Sequence, residues 1–141
     1  MDEKKVPEKR RDAVENKGFV LICDDSRAIR ESLVVILTHA GYRAVAVDSA
    51  LDCVAVARKE HPDMIIMDIM MPGMDGATAS GLMKDVPEIA GIPVVLLSAM
   101  SEEQVRVRAE DAGAMGYMLK PYRKNILLEC VERCISSNMA A

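Results

Sequence analysis

Five polar side chains in this sequence each end or directly follow a short apolar run. Asp24 and Asp25 come after FVLIC, Asp68 after MIIM, Ser98 after VVLL and Lys120 after YML. Three carboxylates cannot share a small site in ionised form without a positive partner. A hard divalent cation with oxygen ligands is the natural one, and Mg²⁺ suits a site that keeps several waters. The divalent metal and the Lys120 ammonium would then balance the three acids. Such a set is poised for an incoming phosphoryl group. Metal and ammonium would stabilise charge on its oxygens, a carboxylate would serve as nucleophile, and the small Ser98 would offer a hydroxyl donor.

Taken singly, each of these residues has a plainer account. Adjacent acids after a strand suit a turn and the first turn of a helix. Asp68 ahead of Pro72-Gly73 suits a turn, Ser98 a loop hydroxyl, and Lys120-Pro121 a strand stop. Joint placement is what separates the two accounts, so the elements that carry these residues decide between them.

From Phe19 onward, strand and helix patterns alternate. Residues 19–23 form an apolar run too short for a helix and rich in strand formers. Ser26 can cap a helix whose Ile29, Leu33, Ile36 and Leu37 keep helical spacing, and Gly41 ends it. Residues 44–47 make a second strand, and Ser49 with Asp52 opens a second helix through Glu60 in a capping-box-like arrangement. His61-Pro62 breaks the chain before a third strand, residues 64–67, that ends at Asp68. Pro72, Gly73 and Asp75-Gly76 mark a loop, and a short helix follows over about residues 77–84. Residues 94–97 form the fourth strand, and Ser101 with Gln104 caps a helix that stops near Gly113. Residues 117–119 form the last strand, and residues 125–136 the last helix, with Leu127, Leu128, Val131, Cys134 and Ile135 facing inward.

Five strand–helix repeats with nearly continuous apolar strands predict an α/β fold: one doubly wound, flavodoxin-like (βα)5 domain around a parallel sheet. In strand order 2-1-3-4-5 the first and third strands are neighbours, and ligands bind beyond the carboxyl ends at that switch point. All five polar residues lie at those ends, so they would converge.

Composition narrows the alternatives. The 141 residues are half apolar, enough for one packed core and little else. Three tyrosines, one phenylalanine and no tryptophan argue against base-stacking platforms, and a net charge of −4 against a phosphate-binding surface. No direct nucleic-acid contact is expected. No apolar run approaches the roughly 18 residues of a spanning helix, so no membrane insertion is expected either. The charged N-terminus is unlike a signal peptide, so a cytoplasmic location is expected. Cys23, Cys53, Cys130 and Cys134 lack CxxC spacing and read as buried reduced thiols. Cys130 and Cys134 could share a helix face, but a soft metal would need further ligands. Residues 1–17 carry six Lys or Arg against five Asp or Glu and read as a solvated tail. Residues 18–137 are expected to form the domain and 138–141 a short C-terminal tail.

The motifs resemble the receiver domain of two-component response regulators. The likeness rests on the pair Asp24-Asp25, DIMMPGMDG from Asp68, PVVLLSA from Pro93 and GAMGYMLKP from Gly113, and it covers about residues 19–136. It implies that Asp68 is the phosphoacceptor for a phosphohistidine on a sensor histidine kinase or phosphotransfer protein. It implies that Asp24, Asp25, Asp68 and the backbone carbonyl of Met70 hold Mg²⁺, and that Lys120 pairs with the phosphoryl oxygens. Ser98 would be the switch hydroxyl and Tyr117 the switch aromatic. Together they would alter the face of the fourth helix, fifth strand and fifth helix, where a downstream protein target binds. On this reading the protein is a regulator, not an enzyme, and a stand-alone receiver, with a fragment of a larger regulator as the alternative. An aspartyl-nucleophile phosphohydrolase would carry two acids two residues apart after the first strand, whereas Asp24 and Asp25 are adjacent. An interaction-only receiver would lack one of the five residues, and a flavin site would not set an acidic pair where phosphate must bind. Met70 and Met100, two residues beyond Asp68 and Ser98, cannot orient a water and are expected to slow phosphoryl loss.

Overall fold

Aliphatic runs bounded by polar turns become strands because their side chains can be buried on alternating sides of one backbone. The computed structural model describes residues 16–140, and three of its strands are buried at every position: β1 (Phe19–Cys23), β3 (Met64–Asp68) and β4 (Val94–Ser98). The less buried β2 (Arg43–Val47) and β5 (Gly116–Leu119) form the two edges. All pairings are parallel, and the order is β2-β1-β3-β4-β5, as the alternating pattern predicts.

Period-two alternation sorts the strands between two cores. Leu21, Cys23, Ile65, Met67, Val94 and Leu96 face one side of the sheet, while Val20, Ile22, Met64, Ile66, Val95 and Leu97 face the other. The first side is covered by α2 (Ala50–Glu60), α3 (Gly76–Met83) and α4 (Glu102–Ala112), through residues such as Cys53, Ala79 and Val105. The second is covered by α1 (Arg27–His39) and α5 (Lys124–Ala140), through Leu33, Leu37, Leu127 and Val131. No helix among the described residues is long and apolar enough to cross a membrane.

The helix starts follow the cap residues. Ser26, Ser49 and Ser101 each accept a hydrogen bond from the backbone N–H three residues on, and Ser101 with Gln104 completes a reciprocal capping box. At Asp75, which the sequence suggested only as a turn, the carboxylate caps α3 by accepting from Thr78 N–H at 2.8 Å. Gly113 closes α4 in the left-handed region at φ 71°, where a side chain would be strained.

The end of the last helix differs from the sequence reading. The α5 helix runs to Ala140 rather than stopping at Ser136, so it includes most of the segment expected as a C-terminal tail. Ser136, Ser137 and Asn138 are weak helix formers, but once a helix is nucleated and packed their small individual costs do not end it. The charged tail expected over residues 1–17 lies, apart from Asn16 and Lys17, outside the described residues.

Candidate functional site

Parallel pairing sets the carboxyl ends of β1, β3, β4 and β5 side by side. Cys23 pairs with Met67, Asp68 with Leu97, and Ser98 with Leu119, so the residues just beyond share one edge. Backbone hydrogen bonds extend the order past the strand ends: Asp24 N–H donates to the Val47 carbonyl and Lys120 N–H to the Ser98 carbonyl, at 3.1 and 2.8 Å. These bonds aim Asp24, Asp68 and Lys120 into one crevice.

The central contact is one ammonium between two buried carboxylates. Lys120 Nζ lies 3.0 Å from Asp24 Oδ2 and 3.3 Å from Asp68 Oδ1. Asp24 and Asp68 are 1% and 2% exposed, so neither is shielded by water. Asp24 Oδ1 accepts from Ser26 N–H at 2.8 Å, and the Arg30 guanidinium donates to the Asp24 carbonyl at 2.9 Å. Asp68 Oδ1 also takes a long bond, 3.4 Å, from Met70 N–H.

One cation is too few for this many acids. Burial, then the charge of Asp24, push the Asp68 carboxyl up to about 6, against the lowering effect of Lys120 and of Met70 N–H. For Lys120, burial alone would lower the pKa, but Asp24 and Asp68 outweigh it and hold the ammonium above the ordinary lysine value. The exposed Asp25 adds a third acid, and one oxygen from each of Asp24, Asp25 and Asp68 lies within 4.8 Å of the others.

This donor set fits a hard divalent cation. All three side-chain ligands are oxygens, the cluster opens to solvent through Asp25, and the buried Asp24 Oδ2 receives no directed hydrogen bond besides its ion pair with Lys120. Buried oxygens without donors are costly unless something positive faces them.

The remaining residues singled out in the sequence surround this centre at different distances. Ser98 is fully buried at the end of β4, and its hydroxyl oxygen accepts from Met100 N–H at 3.0 Å. Tyr117 on β5 is partly buried against the core on the α2–α4 side, with its hydroxyl 3.2 Å from Glu102 Oε2 at the start of α4. Met70 is 61% exposed at the lip of the crevice, whereas Met100 is partly buried and packs on the core.

Two contributors escaped the sequence reading. A Cβ on Gly76 would collide with the Asp68 carbonyl and the Met67 side chain, so glycine there lets α3 start directly beneath the acid. The Arg108 guanidinium of α4 reaches Asp75 at 2.6 Å and ties the end of the Asp68 loop to α4. The Pro-Gly-x-Asp-Gly run marks the first as a turn without revealing the close approach. Nothing local marks the second, because the partners are 33 residues apart.

A doubly wound sheet with an acid pair after β1, an acid ending β3 and a lysine after β5 defines the receiver class of phosphorelay proteins. The profile of the response regulator receiver domain matches residues 20–132. PilH of Pseudomonas aeruginosa is 32% identical over 117 residues, covering 83% of this chain and 97% of that protein. The transcriptional regulatory protein PdtaR of Mycobacterium tuberculosis is 36% identical, but the match covers only 56% of its length. Among solved structures, the receiver domain of a Syntrophus aciditrophicus signal transduction histidine kinase has a TM-score of 0.79 at 34% identity, covering 85% of this chain and 91% of that one. The chemotaxis protein CheY4 of Vibrio cholerae also gives 0.79, at 27% identity, covering 84% of this chain and 99% of its own. This chain belongs to the response regulator receiver domain family, and it is a phosphorelay response regulator.

The raised Asp68 pKa has a thermodynamic consequence. An unfolded aspartate ionises near pH 4, so between about pH 4 and 6 the folded chain holds a proton that the unfolded chain has lost. Stability therefore falls as pH rises through that window, and the whole deficit is present above it. Asp68→Asn should be more stable than the parent by on the order of 1–3 kcal/mol in urea unfolding at pH 7.5 with EDTA, and the gap should close near pH 4. An Asn variant no more stable than the parent at pH 7.5 would refute the reading that burial and the neighbouring Asp24 charge penalise the Asp68 carboxylate.

Proposed function

We propose that Asp68 takes the phosphoryl group from a phosphohistidine carried by a sensor histidine kinase or phosphotransfer protein of a two-component system. The observation that carries this reading is the buried Asp68 carboxylate, flanked by Asp24 and 3.3 Å from the Lys120 ammonium at the carboxyl edge of the sheet. An Asp68 oxygen forms a bond to phosphorus as the phosphorus–nitrogen bond breaks. The electron pair stays on the imidazole nitrogen, which takes a proton from solvent. Lys120 is within reach of the phosphoryl oxygens and offsets the charge that the transfer brings. Asp24, Asp25, Asp68 and the Met70 carbonyl are the groups that would hold Mg²⁺, which when bound supplies charge neutralisation on those same oxygens. The nucleophile ends β3 rather than β1, which sets this site apart from the phosphohydrolase arrangement.

Signalling follows from the contacts that phosphorylation would exchange. Ser98 gives up its bond from Met100 N–H and donates to a phosphoryl oxygen, while Tyr117 leaves Glu102 and turns inward. Both changes alter the face made by α4, β5 and α5, where a downstream protein target binds. The match to PilH covers 97% of that protein, so a receiver of this length acting through protein partners has a precedent among the relatives.

Incubation with acetyl phosphate and Mg²⁺ should add one phosphoryl group by intact-mass measurement, with none added in EDTA or in Asp68→Asn. A label that persists in Asp68→Asn would remove Asp68 from the chemistry.

The lifetime of the aspartyl phosphate depends on what can orient water beside it. Met70 stands exposed at the lip of the crevice and has no group to orient a water. Met70→Asn should shorten the half-life of the phosphorylated protein, followed by phosphate release after donor removal. An unchanged half-life would show that the lifetime is set elsewhere.

A further inference from the structure

On the face of the sheet away from α2–α4, a groove of about 490 Å³ runs between β5 and α5. Three sulphur-bearing side chains line it. Cys134 Sγ is 3.2 Å from Met115 Sδ, and Cys130 lies one helical turn before Cys134 and lines the same groove. Residues four apart on a helix have Cβ atoms about 5–6 Å apart on one face, so both thiols can reach a common point. Met115 belongs to the turn before β5, is pinned by its N–H to the Val94 carbonyl at 2.8 Å, and is 56% exposed. The cluster thus has two thiols and a thioether on two rigid elements, with a route in from solvent. The sequence places the two cysteines on one helix, but the third sulphur comes from a distant segment and becomes visible only in the fold.

We propose that Cys130, Cys134 and Met115 form a binding site for a soft monovalent cation, Cu(I). Thiolate and thioether ligands select this ion, which accepts three-coordinate geometry. Metal–sulphur bonds of about 2.3 Å around a trigonal ion set neighbouring sulphurs about 4 Å apart. Cys134 and Met115 therefore need to part by only about 0.8 Å from the observed 3.2 Å. Binding releases the two thiol protons, leaving two thiolates, one thioether and one monovalent ion with a single negative charge in excess. Arg133 and Glu129 line the same groove with their charged groups 4.0 Å apart, so the groove itself adds no net charge. Zinc is not served here. Among the described residues, the one trio of His, Cys, Asp or Glu side chains close enough to share an ion is the Asp24–Asp25–Asp68 set.

Because the groove is walled by β5 and α5, an ion held there would fix their spacing independently of events at Asp68. The test is anaerobic titration of the reduced full chain with Cu(I) against a chromophoric Cu(I) chelator, with X-ray absorption on the loaded protein. One tightly held ion with three sulphur neighbours is expected. Cys130→Ser and Cys134→Ser should each lose it, and Met115→Leu should weaken it while conserving volume. Cys53→Ser, on the other face of the sheet, should leave it unchanged. Met115 and Cys130 are not fully buried, so their variants are expected to fold and keep the test decisive if Cys134→Ser does not. Absence of tight binding, binding unchanged in Cys130→Ser and Met115→Leu, or binding lost in Cys53→Ser would overturn the assignment.

Discussion

Everything at the carboxyl edge of this sheet depends on one ammonium group held between two buried carboxylates. Lys120 faces Asp24 at 3.0 Å and Asp68 at 3.3 Å, in surroundings that water scarcely enters. Removing Lys120 would leave two buried carboxylates with no compensating charge, which costs more than the intact set contributes. Adding nothing leaves an excess of negative charge. The site is therefore stable enough to form and unsatisfied enough to attract a cation and a phosphoryl group. The surrounding fold maintains that balance: the Lys120 N–H bond to Ser98, the Arg30 bond to the Asp24 carbonyl, and the space that Gly76 leaves beside Asp68.

On the proposed switching, a change at Asp68 would be registered by few contacts. Ser98 and Tyr117 are each held by a single hydrogen bond, from Met100 N–H and to Glu102. Both bonds lie in or beside the segment that leads into α4. Arg108, on the same helix, reaches Asp75 at the end of the Asp68 loop. This partly exposed ion pair contributes little to stability. It does give α4 a direct mechanical link to the residues that follow Asp68. Two-state behaviour needs contacts that one state has and the other lacks, and these three are the contacts available for exchange.

The fold was legible because its signals are local and agree with one another. Apolar runs of strand length, a serine ahead of three helices and a glycine after the fourth all place the same boundaries. The end of α5 was not, because weak helix formers such as Ser136 and Ser137 are carried by a helix already nucleated and packed. The carboxylate cluster was legible for a different reason: strand order converts separate strand-end residues into neighbours, so topology supplies what spacing cannot. Pairings between distant surface positions had no such rule behind them. Asp75 with Arg108, Tyr117 with Glu102 and Met115 with Cys134 each join segments whose side-chain directions depend on helix rotation, which sequence periodicity leaves loose.

Asp24, Asp25 and Asp68 together carry more negative charge than Lys120 can offset, an excess that a divalent cation would correct. The most direct test is the urea midpoint at pH 7.5 as a function of Mg²⁺ concentration, for the parent and for Asp25→Ala. An ion that binds only the folded state raises stability in proportion to the logarithm of its concentration once above its dissociation constant. The parent should show that rise, and the variant, lacking one ligand and one negative charge, should show much less. A parent that does not respond to Mg²⁺, or a variant that responds equally, would show that these three carboxylates do not hold the ion.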